Sequence, residues 1–245
     1  VDAENKRNSY NIIDVHWSQV PGRDDKWRTE TIANTSEEQF RREFDCEFLG
    51  SANTLIAPAK IKSMAFQNPI QSNAGLNMYE KPKQDATYVV VADVARGTNN
   101  DYSAFIVFDV STVPYKIVAK YRNNEIKPLL FPNIIYDVSK AYNEAYILVE
   151  VNDIGEQVAS ALQFDLEYDN LIMASMRGRA GQVVGGGFSG GKAQLGVRTT
   201  KAVKKLGCSN LKQIIETDKL IIQDYDLINE FSTFILKGQS FEAEE

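Results

Sequence analysis

Residues 87–95 form an almost unbroken apolar run rich in valine, interrupted by one carboxylate, Asp93. Runs of β-branched residues bounded by polar turns predict strands. Residues 103–110 and 115–121 repeat the pattern after connections short enough for hairpins. Residues 146–151 give a fourth, fully buried-looking strand with Glu150 inside it, and 171–175 and 220–223 read as shorter ones. Apolar residues at helical spacing predict helices over 128–144, 155–166, 199–216 and 227–237. In the second of these Val158, Ala161 and Leu162 share a face, and Asp153 and Glu156 are placed to cap its start. Three successive strands followed by alternating helices and strands predict an α/β fold, a mixed sheet flanked by helices.

Residues 1–57 have a different texture. They are polar, with a turn at Pro21-Gly22 and a charged run from Arg23 to Lys26. A helix is expected to open at Ser36, whose spacing to Gln39 is that of a capping box. Phe40, Phe44 and Phe48 then fall on one face, and Gly50 closes the helix. The segment reads as a docking tail or a piece of a preceding domain, leaving 58–245 as the main domain. Residues 68–84, rich in Asn, Gln and Pro, read as a loop, and 178–196 as a glycine-rich hairpin insertion.

Composition removes several classes of function. The chain has 245 residues, 43% apolar and 24% charged, the balance of an ordinary globular protein. Cys46 and Cys208 lie far apart and match no metal-ligand spacing, so both are expected to be reduced thiols. His16 is the single histidine, which excludes a His-rich zinc site or a Ser-His-Asp triad within the domain and leaves His16 a structural or surface role. No run of 18 apolar residues and no signal-peptide pattern is present, so neither membrane nor secretion is expected.

The net charge of −6 argues against nucleic acid, but its distribution does not. Between Asn170 and Ile215 stand Arg177, Arg179, Lys192, Arg198, Lys201, Lys204, Lys205 and Lys212, with no Asp or Glu. Arg198, Lys201 and Lys205 fall on one face of the predicted helix, while Ala202, Val203 and Leu206 are expected to face the core. A cationic ridge of this kind suits a phosphate backbone; the plainer reading is a solvated helix face. With no base-reading motif, contacts are expected to position DNA without specifying its sequence.

A carboxylate buried alone in a strand is costly. Asp93 and Glu150, each near the end of an apolar strand, therefore point to a shared cation site if the strands are neighbours. Mg²⁺, or Mn²⁺ in its place, is held by a few carboxylates with water and substrate phosphate. Two such ions about 4 Å apart can clamp the attacking and leaving oxygens of a phosphodiester, with Asp93 bridging them and Glu150 holding one and orienting the water. Asp101, in the turn after the first strand, is a lesser candidate ligand. The structural alternative pairs Asp93 with Arg96. The segment from Gly186 to Lys192 imitates a phosphate-binding loop, but Ala193 stands where Mg²⁺ needs a hydroxyl. A loop laying Lys192 along DNA phosphates fits better than nucleotide binding.

The strings Val91-Ala-Asp93-Val-Ala-Arg-Gly97, Asp101-Tyr102, Glu150-Val-Asn152-Asp-Ile-Gly155, Leu206-Gly-Cys-Ser-Asn-Leu-Lys212 and Asp218-Lys-Leu-Ile-Ile222 resemble the C-terminal nuclease domain of tailed-phage large terminase subunits. Pro21 to Trp27 and Phe40 to Gly50 resemble the end of the same family's ATPase domain. The resemblance implies an RNase H-like fold of the resolvase and integrase type. It implies a metal-dependent endonuclease that cuts concatemeric double-stranded DNA at initiation and completion of headful packaging. It implies work in the host cytoplasm at the portal vertex of the procapsid, with portal protein and small terminase subunit as partners. ATP would act only through the ATPase domain, since no Walker motif is found here. By position Asp93 and Glu150 match the family's first acid and its catalytic glutamate. The third acid follows a stretch like Ser240-Phe-Glu-Ala-Glu-Glu245, where this sequence stops, so incomplete Mg²⁺ occupancy and impaired activity are expected of the chain by itself. Two rival readings stand beside the nuclease: a non-catalytic DNA-translocation and docking module, and a small-phosphate hydrolase with a closed pocket.

Overall fold

The computed structural model describes residues 15–35, 40, 44, 54–99, 101–175, 193–238 and 240–243. The chain divides into two compact units, Val1–Thr54 and Leu55–Glu245. Within the first unit, Asp24 caps helix α1 (Asp25–Asn34), its carboxylate accepting from the Trp27 amide at 2.8 Å. Trp17, Trp27, Phe40 and Phe44 pack ring against ring with centroids 5.2 to 6.0 Å apart. The Phe44 amide donates to the Phe40 carbonyl, the helical step that their spacing predicts. His16 caps the short turn Trp17–Gln19. Phe48, Gly50, Cys46 and the Ser36 and Gln39 pair lie outside the described residues.

The second unit is built on a sheet of seven strands among the described residues. In chain order the strands are β1 (Gln71–Asn73), β2 (Leu76–Met78), β3 (Tyr88–Asp93), β4 (Ser103–Asp109), β5 (Tyr115–Asn123) and β6 (Tyr146–Val149). They lie in the spatial order β1-β2-β5-β4-β3-β6, and the strand Leu220–Ile221 pairs beside β5. The first five pair antiparallel, whereas β6 runs parallel to β3, so the sheet is mixed as expected. The residues taken as loop at 68–84 contain the β1/β2 hairpin, which turns through Ala74 and Gly75, both at positive φ.

Side-chain alternation on β4 explains why the sheet needs helices on both faces. Ser103, Phe105, Val107 and Asp109 are buried, and Phe105 and Val107 join a core covered by helices Phe131–Ala141 and Gly155–Ser160. Ile106 and Phe108 point the other way, into a smaller core containing Leu55, Ile56, Ile117, Ile215, Ile222, Ile228 and Phe231. The first helix spans less than expected because Phe131 and Pro132 open it, and it buries Phe131, Ile135 and Val138 at helical spacing. The second continues into a π turn over Ala161–Asp165.

Two further sequence expectations fail. The helix Lys201–Glu216 does not bury Ala202, Val203 or Leu206; the last two are 40% and 63% exposed. It docks by its C-terminal half, through Ile215, with Cys208, Leu211 and Ile214 against the smaller core. Burial raises the pKa of the Cys208 thiol, which makes it less reactive. The predicted helix over 227–237 is instead the short helix Tyr225–Glu230 and a strand, Phe234–Lys237, paired antiparallel with Ser240–Ala243. Asp224 caps the helix early, and Gly238 at φ +64° makes the hairpin turn that a continuing helix has no use for. Among the described residues no helix is long and apolar enough to cross a membrane.

Asp224 fastens the smaller core to the sheet. It is 1% exposed and accepts from the Lys120 ammonium at 2.6 Å, the Leu227 amide at 2.7 Å and the Tyr79 hydroxyl. Burial works against its charge, but these donors outweigh burial and hold its pKa below the ordinary carboxylate range. Removing one member of such a buried set leaves an uncompensated charge. Asp224→Ala is expected to lose about 3–5 kcal/mol of stability at pH 7 in urea unfolding. Because the folded pKa is depressed, this contribution is present above pH ~4 and fades as pH falls through the folded value, so parent and variant converge in acid.

Candidate metal and DNA site

Strand alternation places both acids on one face. On β3 Tyr88, Val90 and Ala92 are buried while Val89, Val91 and Asp93 point away from that core, so the run that reads as continuously apolar is buried only at alternate positions. The parallel register sets Val90 beside Ile147 and Ala92 beside Val149, and those residues fill the larger core. The next step in each strand brings Asp93 and Glu150 together on the other face, at the C-terminal ends. The Glu150 amide donates to the Ala92 carbonyl at 2.8 Å, which fixes this step.

The loops after the two strands are latched to each other. Arg96 lies three residues beyond Asp93 and Asp153 three beyond Glu150. The Arg96 guanidinium donates to both Asp153 oxygens, at 2.9 and 2.6 Å. This overturns the pairing of Arg96 with Asp93 and the role of Asp153 as a helix cap: the capping position is Ile154, which makes no side-chain cap. Arg96 is thereby engaged elsewhere than at the acidic pair. Gly155 is required because a Cβ there would stand 1.9 Å from the Glu150 carbonyl oxygen. On the other loop Gly97, at φ +64°, packs against the Ile126 carbonyl, and Lys127 donates to the Gly97 carbonyl at 2.9 Å. Buried Ser103 accepts from the Ala95 amide at 3.0 Å, holding the chain as it leaves β3.

Asp93 is solvent-accessible at the strand end, yet protein atoms crowd it enough to strip part of its hydration. That loss, then a hydrogen bond and charge repulsion from Glu150, push its pKa up to about 6; the Val94 amide opposes the rise and Asp101 adds a weaker repulsion. Asp101 itself is exposed on the loop between β3 and β4. Glu150 is half-buried and accepts from Asn152 Nδ2 at 2.8 Å. Two carboxylates sharing a site are suited to a hard divalent ion. Among the described residues no group of three or more His, Cys, Asp or Glu side chains could hold a metal on its own. Mg²⁺ is commonly held by one or two carboxylates and completed by water and substrate phosphate.

The basic helix starts beside the acids. Val197 bridges to Glu150 in parallel register, Thr200 caps the helix through the Val203 amide at 3.3 Å, and Lys201 begins it. Arg198, Lys201 and Lys205 are exposed and make no ion pair among the described residues. Lys204 is half-buried, its ammonium 6.0 Å from the Phe234 ring centre. Arg177, Arg179 and Lys192 lie outside the described residues, as does the glycine-rich segment 178–191. The sequence reading missed Asn152 and the Arg96–Asp153 latch; the equal three-residue offset from each acid was the available signal.

The raised pKa of Asp93 means that the folded state binds its proton more tightly than the unfolded chain. Its charge therefore costs stability above pH ~6, and the cost vanishes below pH ~4. Solvent access screens the effect, so Asp93→Asn is expected to gain about 1 kcal/mol at pH 8 and nothing at pH 4 in chemical unfolding. Added Mg²⁺ should stabilise the parent and not this variant.

Comparison with known proteins bears on the fold and the family. The large terminase nuclease of thermophilic phage G20c with bound magnesium superposes with a TM-score of 0.59 at 18% identity, over 80% of this chain and 90% of that one. The cobalt-bound form of that nuclease gives 0.58 at 19% identity, over 79% and 89%. The large terminase nuclease domain of Thermus phage P74-26 gives 0.56 at 17% identity, over 79% and 87%. At these identities the likeness shows a shared fold and nothing finer. A family model described as the terminase RNaseH-like domain matches residues 90–244, beginning within β3 and taking in both acids and the basic helix. The chain belongs to the terminase RNaseH-like domain family.

Proposed function

We propose that this chain is the nuclease part of a viral DNA-packaging terminase, a metal-dependent endonuclease that cuts concatemeric double-stranded DNA at the start and end of headful packaging. The observation that carries the reading is the convergence of Asp93 and Glu150 at neighbouring parallel strand ends, beside the start of an exposed basic helix. Asp93 and Glu150 would hold Mg²⁺ or Mn²⁺, with Asp101 as a lesser ligand. When bound, such an ion lowers the pKa of water and offsets charge building on the phosphate. The protein's part is placement. The parallel register fixes the two acids, the latch between Arg96 and Asp153 holds their loops, and Arg198, Lys201, Lys204 and Lys205 lay the DNA backbone across the sheet edge. Arg177, Arg179 and Lys192 belong to the same proposed surface. A water oxygen attacks phosphorus, the ester oxygen departs and takes up a proton, and the strand is cut.

A small-phosphate hydrolase calls for a closed pocket around the acids. One concavity among the described residues, of about 330 Å³, is lined by Glu156, Gln157, Ser160, Ala161, Phe164 and Asp165 and by neither Asp93 nor Glu150. Portal protein and small terminase subunit as partners, ATP use through an ATPase domain, and work in the host cytoplasm at the portal vertex are part of the same proposal and come from the resemblance of the sequence motifs. Residues 1–57 are then the end of the ATPase domain or its linker.

The decisive assay is plasmid cleavage in Mg²⁺ or Mn²⁺ by the full-length protein and its Asp93→Asn and Glu150→Gln variants. The parent is expected to cut, while both variants bind DNA and lose at least 100-fold in rate, as removal of a group acting on charge in the transition state does. Equal cutting by all three, or binding without cutting by the parent, would replace this reading with a DNA-gripping module. A second measurement isolates the basic helix. Replacing Arg198, Lys201 and Lys205 with Gln should weaken DNA binding and flatten its dependence on log salt by roughly 0.9 per lost phosphate contact. An unchanged slope would assign those side chains to plain solvation.

A further inference from the structure

Asn152 connects the acidic pair to the basic helix through one side chain. Its Nδ2 lies 2.8 Å from Glu150 Oε1 and 3.2 Å from the Thr199 carbonyl oxygen. Both partners are acceptors, so the amide nitrogen and not its oxygen must face them, and each of its two hydrogens has a use. Thr199 immediately precedes Thr200, whose hydroxyl caps the helix that carries Lys201 and Lys205.

The segment does not need this side chain to stay in place. The Val197 amide donates to the Val149 carbonyl and the Val151 amide to the Val197 carbonyl, both at 2.9 Å. What Asn152 adds is control of the Glu150 carboxylate. A neutral donor on one carboxylate oxygen restricts the rotation of the group without cancelling its charge. Ligating carboxylates are themselves commonly hydrogen-bonded, and loss of such an outer partner costs metal affinity or activity. An Arg or Lys in the same place would compete with the ion for the charge; an amide does not.

We propose, resting on the metal-nuclease reading, that Asn152 is a positioning residue. It presents Glu150 to the divalent ion and ties that presentation to the backbone at Thr199, where the DNA-binding helix begins. Asn152 touches neither the substrate nor the ion in this scheme; it acts through Glu150.

The test uses the full-length protein with Asn152→Leu, which keeps the volume and removes the donor, and Asn152→Ala. Mn²⁺ binding is measured by calorimetry without DNA, DNA affinity in Ca²⁺, cleavage as kcat and KM, and thermal stability alongside. Mn²⁺ affinity and kcat are expected to fall together by roughly 10- to 100-fold. KM for DNA, DNA affinity in Ca²⁺ and melting temperature are expected to stay at parental values. Parental Mn²⁺ affinity and kcat in the Leu variant would overturn the proposal. A rise in KM alone, or a loss of activity that merely follows a lowered melting temperature, would overturn it as well. Glu150→Gln separates this failure from that of the underlying reading. If Glu150→Gln loses Mn²⁺ and Asn152→Leu does not, only the role of Asn152 falls. If the parent binds no Mn²⁺, or Glu150→Gln binds it as tightly, the metal site falls and the role of Asn152 with it.

Discussion

Everything at this site depends on the parallel pairing of β3 with β6. An antiparallel neighbour would carry its C-terminal end to the opposite edge of the sheet and separate the two acids by the length of a strand. Parallel pairing brings both C-terminal ends to one edge, and the register of Ala92 with Val149 makes the next residue of each strand an acid on the same face. A slip of one residue in that register would turn Glu150 into the larger core and Val149 out of it. The packing of Val90, Ala92, Ile147 and Val149 therefore fixes the register, and through it the separation of the carboxylates.

The molecule treats its acids in two opposite ways. Asp224 is almost fully buried and surrounded by donors from Lys120, Tyr79 and the Leu227 backbone, so its charge is stabilised and the smaller core gains an anchor. Asp93 is more accessible to solvent but faces another carboxylate, and the nearby guanidinium of Arg96 is bound to Asp153. The first arrangement favours folding. The second opposes it mildly and leaves negative potential at a strand end open to solvent. Perturbed groups of this second kind cluster at functional sites because the missing charge is supplied by what binds there. The basic helix starts beside them, so a chain of net charge −6 still carries a locally positive surface, which the proposed function assigns to DNA.

Much of this was readable without coordinates, for local reasons. Valine-rich runs, each holding a single acid, specify strands and mark Asp93 and Glu150 by cost alone. An acid-free stretch of 46 residues marks a basic surface whatever the total charge. The combination of motifs was enough to point to the family. Errors arose where a local pattern had more than one tertiary solution. Ala202, Val203 and Leu206 have helical spacing in either environment, and only docking of the helix by its other end leaves them outside. Phe234, Ile235 and Leu236 carry apolar side chains that suit a helix face as well as a hairpin, and the partner strand decided between them.

The sequence by itself determined which residues carry charge, which segments prefer extended or helical backbone, and that two acids sit at the ends of apolar strands. Tertiary structure decided what each charge meets. Arg96 is near Asp93 along the chain, yet it binds Asp153, because parallel strands bring the two following loops together. Asn152 reaches both Glu150 and Thr199, 47 residues further along the chain, because Val197 lies against Glu150 at the sheet edge. Strand and helix preferences are properties of near neighbours and survive in a one-dimensional reading. Ion pairs and hydrogen-bond ties are short-range in space but unrestricted in sequence, so only the folded chain specifies them.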